Sequence, residues 1–160
     1  MKKLKVYLDT SVINFLFADD APEFKSITID FFELHIDKYD VFISDIVVFE
    51  INKTTALKHR ERLLNVVDQY PIRILSLNDQ EEIERIANLY INEGVIPPSK
   101  FEDALHLAIS SVYEMDILLS WNFKHLANIK KQQLVNSINE REGYTKKLNL
   151  LSPLEVEYDE

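Results

Sequence analysis

The sequence predicts an α/β protein whose sheet is mostly parallel and covered by helices on both faces. Short apolar runs typical of strands alternate along the chain with longer segments of helical periodicity. This alternation is typical of right-handed βαβ crossovers. The chain is 46% hydrophobic, which is enough for a packed core, and has only two glycines. Its 160 residues predict a single domain over residues 1–160.

The first two strands are each followed by a helix. Lys3–Leu8 alternates polar with apolar residues and leads into Asp9, which predicts a strand that ends at a helix cap. A short helix is predicted over Val12–Phe17. Val41–Ile43 is predicted as the second strand, and the helix after it carries Glu50 about one turn inside.

The second half of the chain continues the pattern. Ile72–Leu75 is predicted as the third strand, Ile117–Ser120 as the fourth and Leu148–Leu151 as an edge strand. Ser99-Lys100-Phe101-Glu102 has the spacing of a capping box, which predicts a helix beginning at Lys100. Asp103 would then lie in the first turn of that helix.

Composition excludes several classes of function. No cysteine is present, which excludes disulfide scaffolds, thiolate metal sites and cysteine nucleophiles and fits a reducing, cytoplasmic compartment. No apolar run approaches membrane-spanning length, so no membrane association is expected. A net charge of -9 repels nucleic acid on average and suits a basic partner or a bound cation. Any nucleic-acid substrate therefore requires a local positive field.

Acids and an amide are predicted to meet at one edge of the sheet. Ligands of open α/β sheets bind beyond the carboxyl ends of the strands. Asp9 ends the first strand, Glu50 follows the second, Asp103 opens the helix before the fourth, and Asn122 follows the fourth. Carboxylates packed together repel one another unless a cation lies among them, and oxygen donors without cysteine favour Mg²⁺ or Mn²⁺.

Each of these residues also has a simpler interpretation. Asp9 could only cap the helix after it, and Glu50 could be a solvated helix residue. The apolar stripe through Leu105 places Asp103 on the opposite face, as an exposed acid favoured by the helix dipole. Asn122 could be a turn residue. No role is predicted for the histidines, which lack metal-ligand spacing: His35, His59, His106 and His125.

Four blocks of sequence resemble a known family. Val6–Val12, Ile43–Glu50, Phe101–Ala108 and Leu118–Asn122 are similar, in this order, to blocks of PIN domains of the VapC type. The resemblance runs from the first strand to the last. It implies a three-layer α/β/α sandwich with a central, mostly parallel sheet and a metal-dependent ribonuclease site.

The resemblance also implies roles for individual residues. Asp9, Glu50 and Asp103 match the acidic residues of the family, as catalytic residues and metal ligands. The fourth acidic position of many members falls on Asn122, which lowers the formal charge of the site and leaves the number of ions open.

The family implies cofactors and partners as well. One or two Mg²⁺ or Mn²⁺ ions would activate water for attack on an RNA phosphodiester, with Thr10 and Ser120 as candidate substrate contacts. Proteins of this type act as toxins that a cognate antitoxin silences, and they commonly form homodimers. The net charge of -9 suits a basic antitoxin segment.

Two alternatives remain open from the sequence. A catalytically silent PIN-like interaction module is disfavoured by the retained acids and slightly favoured by Asn122. A phosphotransfer domain of the haloacid dehalogenase or receiver type also places an aspartate after its first strand. The dehalogenase pattern requires a second aspartate where Ser11 stands and a lysine after a later strand, and neither is evident.

Overall fold

The computed structural model describes residues 2–156 and contains a five-stranded, all-parallel sheet. The strand order is β3-β2-β1-β4-β5, so the first strand of the chain lies at the centre. The strands are β1 (Lys5–Leu8), β2 (Asp40–Ser44), β3 (Ile72–Leu75), β4 (Ile117–Leu119) and β5 (Asn149–Leu151). The predicted parallel sheet is confirmed, and the last strand lies at an edge as expected.

Helices connect the strands and cover the sheet. They are α1 (Thr10–Asn14), α2 (Pro22–Asp30), α3 (Asp45–Asn52), α4 (Leu57–Gln69), α5 (Gln80–Asn92), α6 (Phe101–Val112), α7 (Ile129–Arg141) and α8 (Pro153–Val156). Shorter helical turns extend or precede three of them: 3₁₀ turns at Phe15–Phe17, Ile36–Lys38 and Pro98–Lys100, and a π-helical turn at Phe31–His35.

The helices form two groups around the sheet. Helices α1, α3 and α4 contact one another, and α5 contacts both α6 and α7. The chain moves from β1 to β2 and β3 in one direction, then crosses back to β4 and β5 on the other side. Right-handed crossovers therefore place the two groups on opposite faces. The result is the three-layer α/β/α sandwich that the sequence predicts.

The central strand β1 is buried on both faces. Val6, Tyr7 and Leu8 have no exposed surface, and Val6 is in register with Val41 of β2 and Ile117 of β4. A strand covered by helices above and below must be apolar throughout, which explains this run of side chains. Burial holds β1 firmly, so the residue that follows it has a well-defined position.

The predicted capping box before α6 is wrong. The structure has a 3₁₀ turn over Pro98–Lys100, and α6 begins at Phe101 with Lys100 at its N-cap and no capping side chain. Proline at the first position favours this tight turn and displaces the helix start by one residue. The carboxylate of Glu102 accepts a hydrogen bond from Lys53 Nζ at 3.2 Å.

Among residues 2–156, no helix is both long enough and apolar enough to cross a bilayer.

Candidate active site

A cleft of about 350 Å³ opens at the carboxyl edge of the sheet. Five residues predicted from the sequence line it: Asp9, Thr10, Glu50, Asp103 and Asn122. They come from the end of β1, from α1, α3 and the first turn of α6, and from the loop after β4. The fold thus brings the predicted carboxylates and the amide together.

The sequence did not predict the other residues lining the cleft. These are Ser11, Asn14, Lys53, Glu102 and His106. Lys53 supplies a positive charge among the lining residues, and its ammonium also lies 4.7 Å from the ring centroid of Phe49, which is 63% exposed. The rim on the α3 side therefore carries a cation and an exposed aromatic ring.

Asp9 is held by hydroxyl groups. Its backbone N–H donates to Leu119 O at 3.2 Å. Its carboxylate accepts from Ser11 Oγ and from Ser120 Oγ, each at 2.6 Å, and the residue is 5% exposed. Asp9 stands at the N-cap position of α1, yet its side chain makes no capping hydrogen bond. The interpretation of Asp9 as a simple helix cap is therefore wrong.

The same two hydroxyls join the end of β4 to the start of α1. Ser11 Oγ accepts from the backbone N–H of Trp121 at 2.9 Å, and Ser120 Oγ accepts from that of Asn122 at 2.9 Å. Ser120 has no exposed surface, so in this structure it positions Asp9 rather than lining the cleft. Thr10, the other candidate substrate contact, does line the cleft.

Glu50 reaches the cleft from α3 and is fixed through one oxygen. Thr10 Oγ1 donates to Glu50 Oε1 at 2.9 Å, and His106 Nε2 lies 2.7 Å from the same atom. The Glu50 side chain is 20% exposed. It is therefore an oriented residue of the site and not a freely solvated one.

His106 was missed because a lone histidine on a helix is usually structural. The sequence does hold one indication of its role. His106 lies three residues after Asp103, and residues three apart on a helix share a face. The ring is buried, and its Nδ1 lies 2.7 Å from Tyr7 Oη, which in turn lies 2.8 Å from Ser44 Oγ. A buried polar chain thus runs from the sheet to Glu50.

Burial and pairing displace the pKa values of this pair in opposite directions. Burial alone would lower the pKa of His106, but the hydrogen bond and charge of Glu50 outweigh it and raise that pKa. Burial alone would raise the pKa of Glu50, and the hydrogen bond and charge of His106 reverse this and lower it. Both shifts favour an imidazolium paired with a carboxylate.

The two aspartates show the opposite tendency. Burial raises the pKa of Asp9, against the opposing effects of the His106 charge and the two serine hydroxyls. Burial also raises the pKa of Asp103, and the nearby Glu50 charge adds to the rise. Negative charge at both positions is therefore costly without a compensating cation.

Asn122 turns its amide nitrogen toward Asp103. Its Nδ2 donates to Asp103 Oδ2 at 3.3 Å, and its Oδ1 accepts from the backbone N–H of His125 at 3.0 Å. A backbone N–H can only donate, so this contact determines which end of the amide is the oxygen. The predicted ligand atom of Asn122 is thus engaged in the turn after β4, with one lone pair remaining.

The donor chemistry of the cleft fits a hard divalent cation. Carboxylate oxygens of Asp9, Glu50 and Asp103 are ligands that Mg²⁺ and Mn²⁺ prefer, and a cation would relieve the cost of charging the two buried aspartates. Within residues 2–156, however, no three His, Cys, Asp or Glu side chains are arranged to hold one ion as they stand. Binding of one ion by all three carboxylates would therefore require side chains of the cleft to move.

Comparison with known proteins adds nothing to the geometry. Neither a scan against protein-family models nor a search of curated proteins found a match.

Proposed function

We propose that this protein is a metal-dependent endoribonuclease that hydrolyses RNA phosphodiester bonds. The observation that carries the proposal is the convergence of Asp9, Glu50 and Asp103, from three separate elements, on one cleft at the carboxyl edge of a parallel sheet. Buried acids in such a cleft are typical of sites that bind a catalytic cation. The PIN-like blocks of the sequence support the same assignment.

Asp9, Glu50 and Asp103 would hold Mg²⁺ or Mn²⁺, with Asn122 as a further oxygen donor. When bound, the cation supplies Lewis-acid neutralisation of phosphate charge and a more acidic water nucleophile. It also supplies the local positive field that a chain of net charge -9 otherwise lacks.

The residues of the chain orient the reacting groups. The hydroxyls of Ser11 and Ser120 fix both oxygens of Asp9, so this carboxylate cannot rotate freely. Lys53 at the rim is suited to pair with a phosphate of the RNA, in exchange for its exposed partner Glu102. These contacts reduce the entropic cost of assembling the reacting geometry.

The decisive experiment compares RNA cleavage by the wild type and Asp9→Asn with Mn²⁺ and with EDTA. Asn is nearly isosteric, and serine hydroxyls can donate or accept, so the variant should fold. We expect Mn²⁺-dependent cleavage by the wild type and by Asp68→Asn, a control that removes an exposed charge on α4, and none by Asp9→Asn. Cleavage by Asp9→Asn at the wild-type rate would disprove the assignment.

We further propose that the enzyme is the toxin of a toxin–antitoxin pair and forms a homodimer. A ribonuclease in its own cytoplasm requires an inhibitor, and a basic segment suits a cleft lined by four carboxylates. Pull-down from the native host should recover one small, basic-tailed protein in stoichiometric amount, and light scattering should give twice the 18.8 kDa chain mass. Failure to recover a partner, with harmless overexpression, would remove the toxin role but not the nuclease.

A silent interaction module is the second candidate, and one observation favours it. Glu50 Oε1 and Asn122 Oδ1 both have protein hydrogen-bond partners, so the site is not preassembled around an ion. A module of this kind would bind its partner without cleaving RNA under any metal condition. The phosphotransfer alternative gains no support, because serine stands at position 11, where the dehalogenase pattern requires a second aspartate.

A further inference from the structure

His106 lies between the buried centre of the sheet and the carboxylate cleft. On one side its Nδ1 is 2.7 Å from Tyr7 Oη, and Tyr7 belongs to the fully buried strand β1. On the other side its Nε2 is 2.7 Å from Glu50 Oε1. The side chain is 3% exposed, so it borders the cleft with almost no accessible surface.

We propose that His106 is a positioning residue for Glu50: its Nε2–H holds Oε1 and leaves Oε2 for a ligand in the cleft. The proposal rests on the proposed ribonuclease function, because it concerns the same carboxylate. Thr10 donates to the same oxygen, so two donors from different helices hold Glu50 in one orientation. A carboxylate fixed in this way presents a defined donor atom.

The direction of the hydrogen bonds follows from the chemistry of the partners. An ionised carboxylate can only accept, so Nε2 donates to Glu50. Nδ1 bonds to Tyr7 Oη in both protonation states: the imidazolium donates to the phenol oxygen, which then donates to Ser44 Oγ over 2.8 Å, and in a neutral ring both directions are reversed. Every polar atom of the chain is satisfied in either arrangement. Tyr7 and Ser44 therefore fix the ring that fixes Glu50.

A histidine that merely fills space would not need this arrangement. The rest of the buried face of α6 consists largely of Ala104, Leu107, Ala108 and Ile109, so an apolar side chain is compatible with the surroundings. The two hydrogen bonds of the ring are directed at a sheet residue and at a cleft residue. The predicted consequence is that effects of changing His106 depend on Glu50.

The hydrogen bond can be tested without any activity. In metal-free protein with ¹⁵N-labelled histidine, the Nε2–H proton of His106 should exchange slowly and resonate downfield, with assignment by its loss in His106→Gln. In Glu50→Ala this signal should move upfield or disappear. An unchanged signal in Glu50→Ala would overturn the proposal, whatever the enzyme does to RNA.

The coupling between His106 and Glu50 is measured by calorimetric titration of Mn²⁺ into the two single variants and the double variant. We expect His106→Leu to weaken Mn²⁺ binding about 10- to 100-fold in the wild-type background and to have no further effect in Glu50→Ala. His106→Gln retains an N–H donor and should recover part of the loss. Equal effects of His106→Leu in both backgrounds would mean that the histidine acts only through general stability, and would overturn the proposal.

A comparison of cleavage rates between two tyrosine variants tests the same role and does not require His106→Leu to fold. Tyr7→Phe removes the phenol that orients the ring and should lower kcat more than it changes KM. Tyr90→Phe removes an equally buried phenol, bonded to Ser111 and Asn139 away from the cleft, and should leave kcat unchanged. Equal kcat values for the two variants would count against positioning.

The two proposals fail in different ways. If the wild type cleaves RNA and the cycle shows independent effects, the nuclease stands and the role of His106 is rejected. If the wild type binds Mn²⁺, with coupling between His106 and Glu50, yet cleaves no RNA, the ribonuclease function is rejected and the positioning of Glu50 remains.

Discussion

The amide of Asn122 donates to Asp103 across 3.3 Å, while its oxygen accepts from the backbone of His125 at 3.0 Å. An aspartate at position 122 could keep the second contact but not the first. Its free oxygen would face Asp103 with like charge. The amide therefore lowers the electrostatic repulsion in the cleft and provides a weaker cation ligand than a carboxylate.

Asn122→Asp should tighten Mn²⁺ binding and destabilise the metal-free protein, because the added carboxylate repels Asp103 until a cation lies between them. Asn122→Ala should impair cleavage less than Asp9→Asn does, since water can replace a neutral ligand. Calorimetric titration of Mn²⁺ and melting in EDTA measure these effects. Unchanged Mn²⁺ affinity in Asn122→Asp would show that the side chain serves only the turn after β4.

Asp103→Asn should stabilise the metal-free protein and reduce its stabilisation by Mg²⁺ or Mn²⁺. The variant removes a charge whose burial is unfavourable and retains an oxygen that can accept from Asn122. A cation at one hundred times its Kd adds about 2.7 kcal/mol to the wild type, and the variant should lose most of this gain. Thermal melts with EDTA and with each ion are the measurement. Identical ion-induced shifts in both proteins would contradict a metal site at Asp103.

Glu82 should make stability depend on acid pH. Hydrogen bonds from Arg85, at 2.7 and 3.0 Å, and from Tyr144 lower its pKa from 4.5 to about 2. A depressed pKa in the folded state stabilises above pH 4.5, and this contribution is lost as the pH falls toward about 2.

Because the Glu82 side chain is 34% exposed, we expect about 1 kcal/mol or less from it. Denaturant titrations from pH 6 downward, to about pH 3, should show a shallower loss of stability in Glu82→Gln than in the wild type. Glu84→Gln, an exposed change on the same helix, should retain the wild-type slope. Equal slopes in all three proteins would contradict the prediction.

Tyr90→Phe should destabilise the protein by about 1–3 kcal/mol, because it leaves the buried Asn139 Oδ1 without its donor. The phenol oxygen of Tyr90 lies 3.0 Å from Ser111 Oγ and 2.5 Å from Asn139 Oδ1, and it joins α5, α6 and α7. Chemical denaturation measures the loss. Asn139 Nδ2 already donates to Ser111 Oγ at 2.8 Å, so a change below about 0.5 kcal/mol would show that water satisfies Asn139 Oδ1 equally well.

The sequence predicted the parts of the site that depend on the sheet. Strands buried on both faces are readable as apolar runs, and the residue after each run lies at the carboxyl edge, as Asp9 does. Asp103 was also predicted, although the stripe through Leu105 suggested an exposed position. Helical periodicity predicts one buried face for α6, but nearly the whole helix is buried after Asp103. Only the beginning of α6 reaches solvent, so the apolar stripe does not identify a single core face.

The hydrogen-bond partners of the site were not predictable. Ser120 contacts Asp9 across 111 positions in the chain, and His106 contacts Glu50 across 56. No local pattern encodes such pairs, because they depend on strand order and on the rotation of each helix. The false capping box before α6 has a similar origin, since Ser99 and Glu102 have suitable spacing but the preceding prolines impose a different turn.

Because β1 lies at the centre of the sheet, the cleft cannot assemble during synthesis until a much later strand has been made. The strand made first pairs with β2 and with β4, and β4 emerges only after residue 117. Until then one side of β1 has no neighbour, and the hydroxyl of Ser120 that fixes Asp9 is absent. Contacts this distant in the chain form late. A growing chain on the ribosome therefore carries Asp9 and Glu50 before the cleft around them is assembled, and a chain released before β4 lacks both Asn122 and the hydroxyl that fixes Asp9.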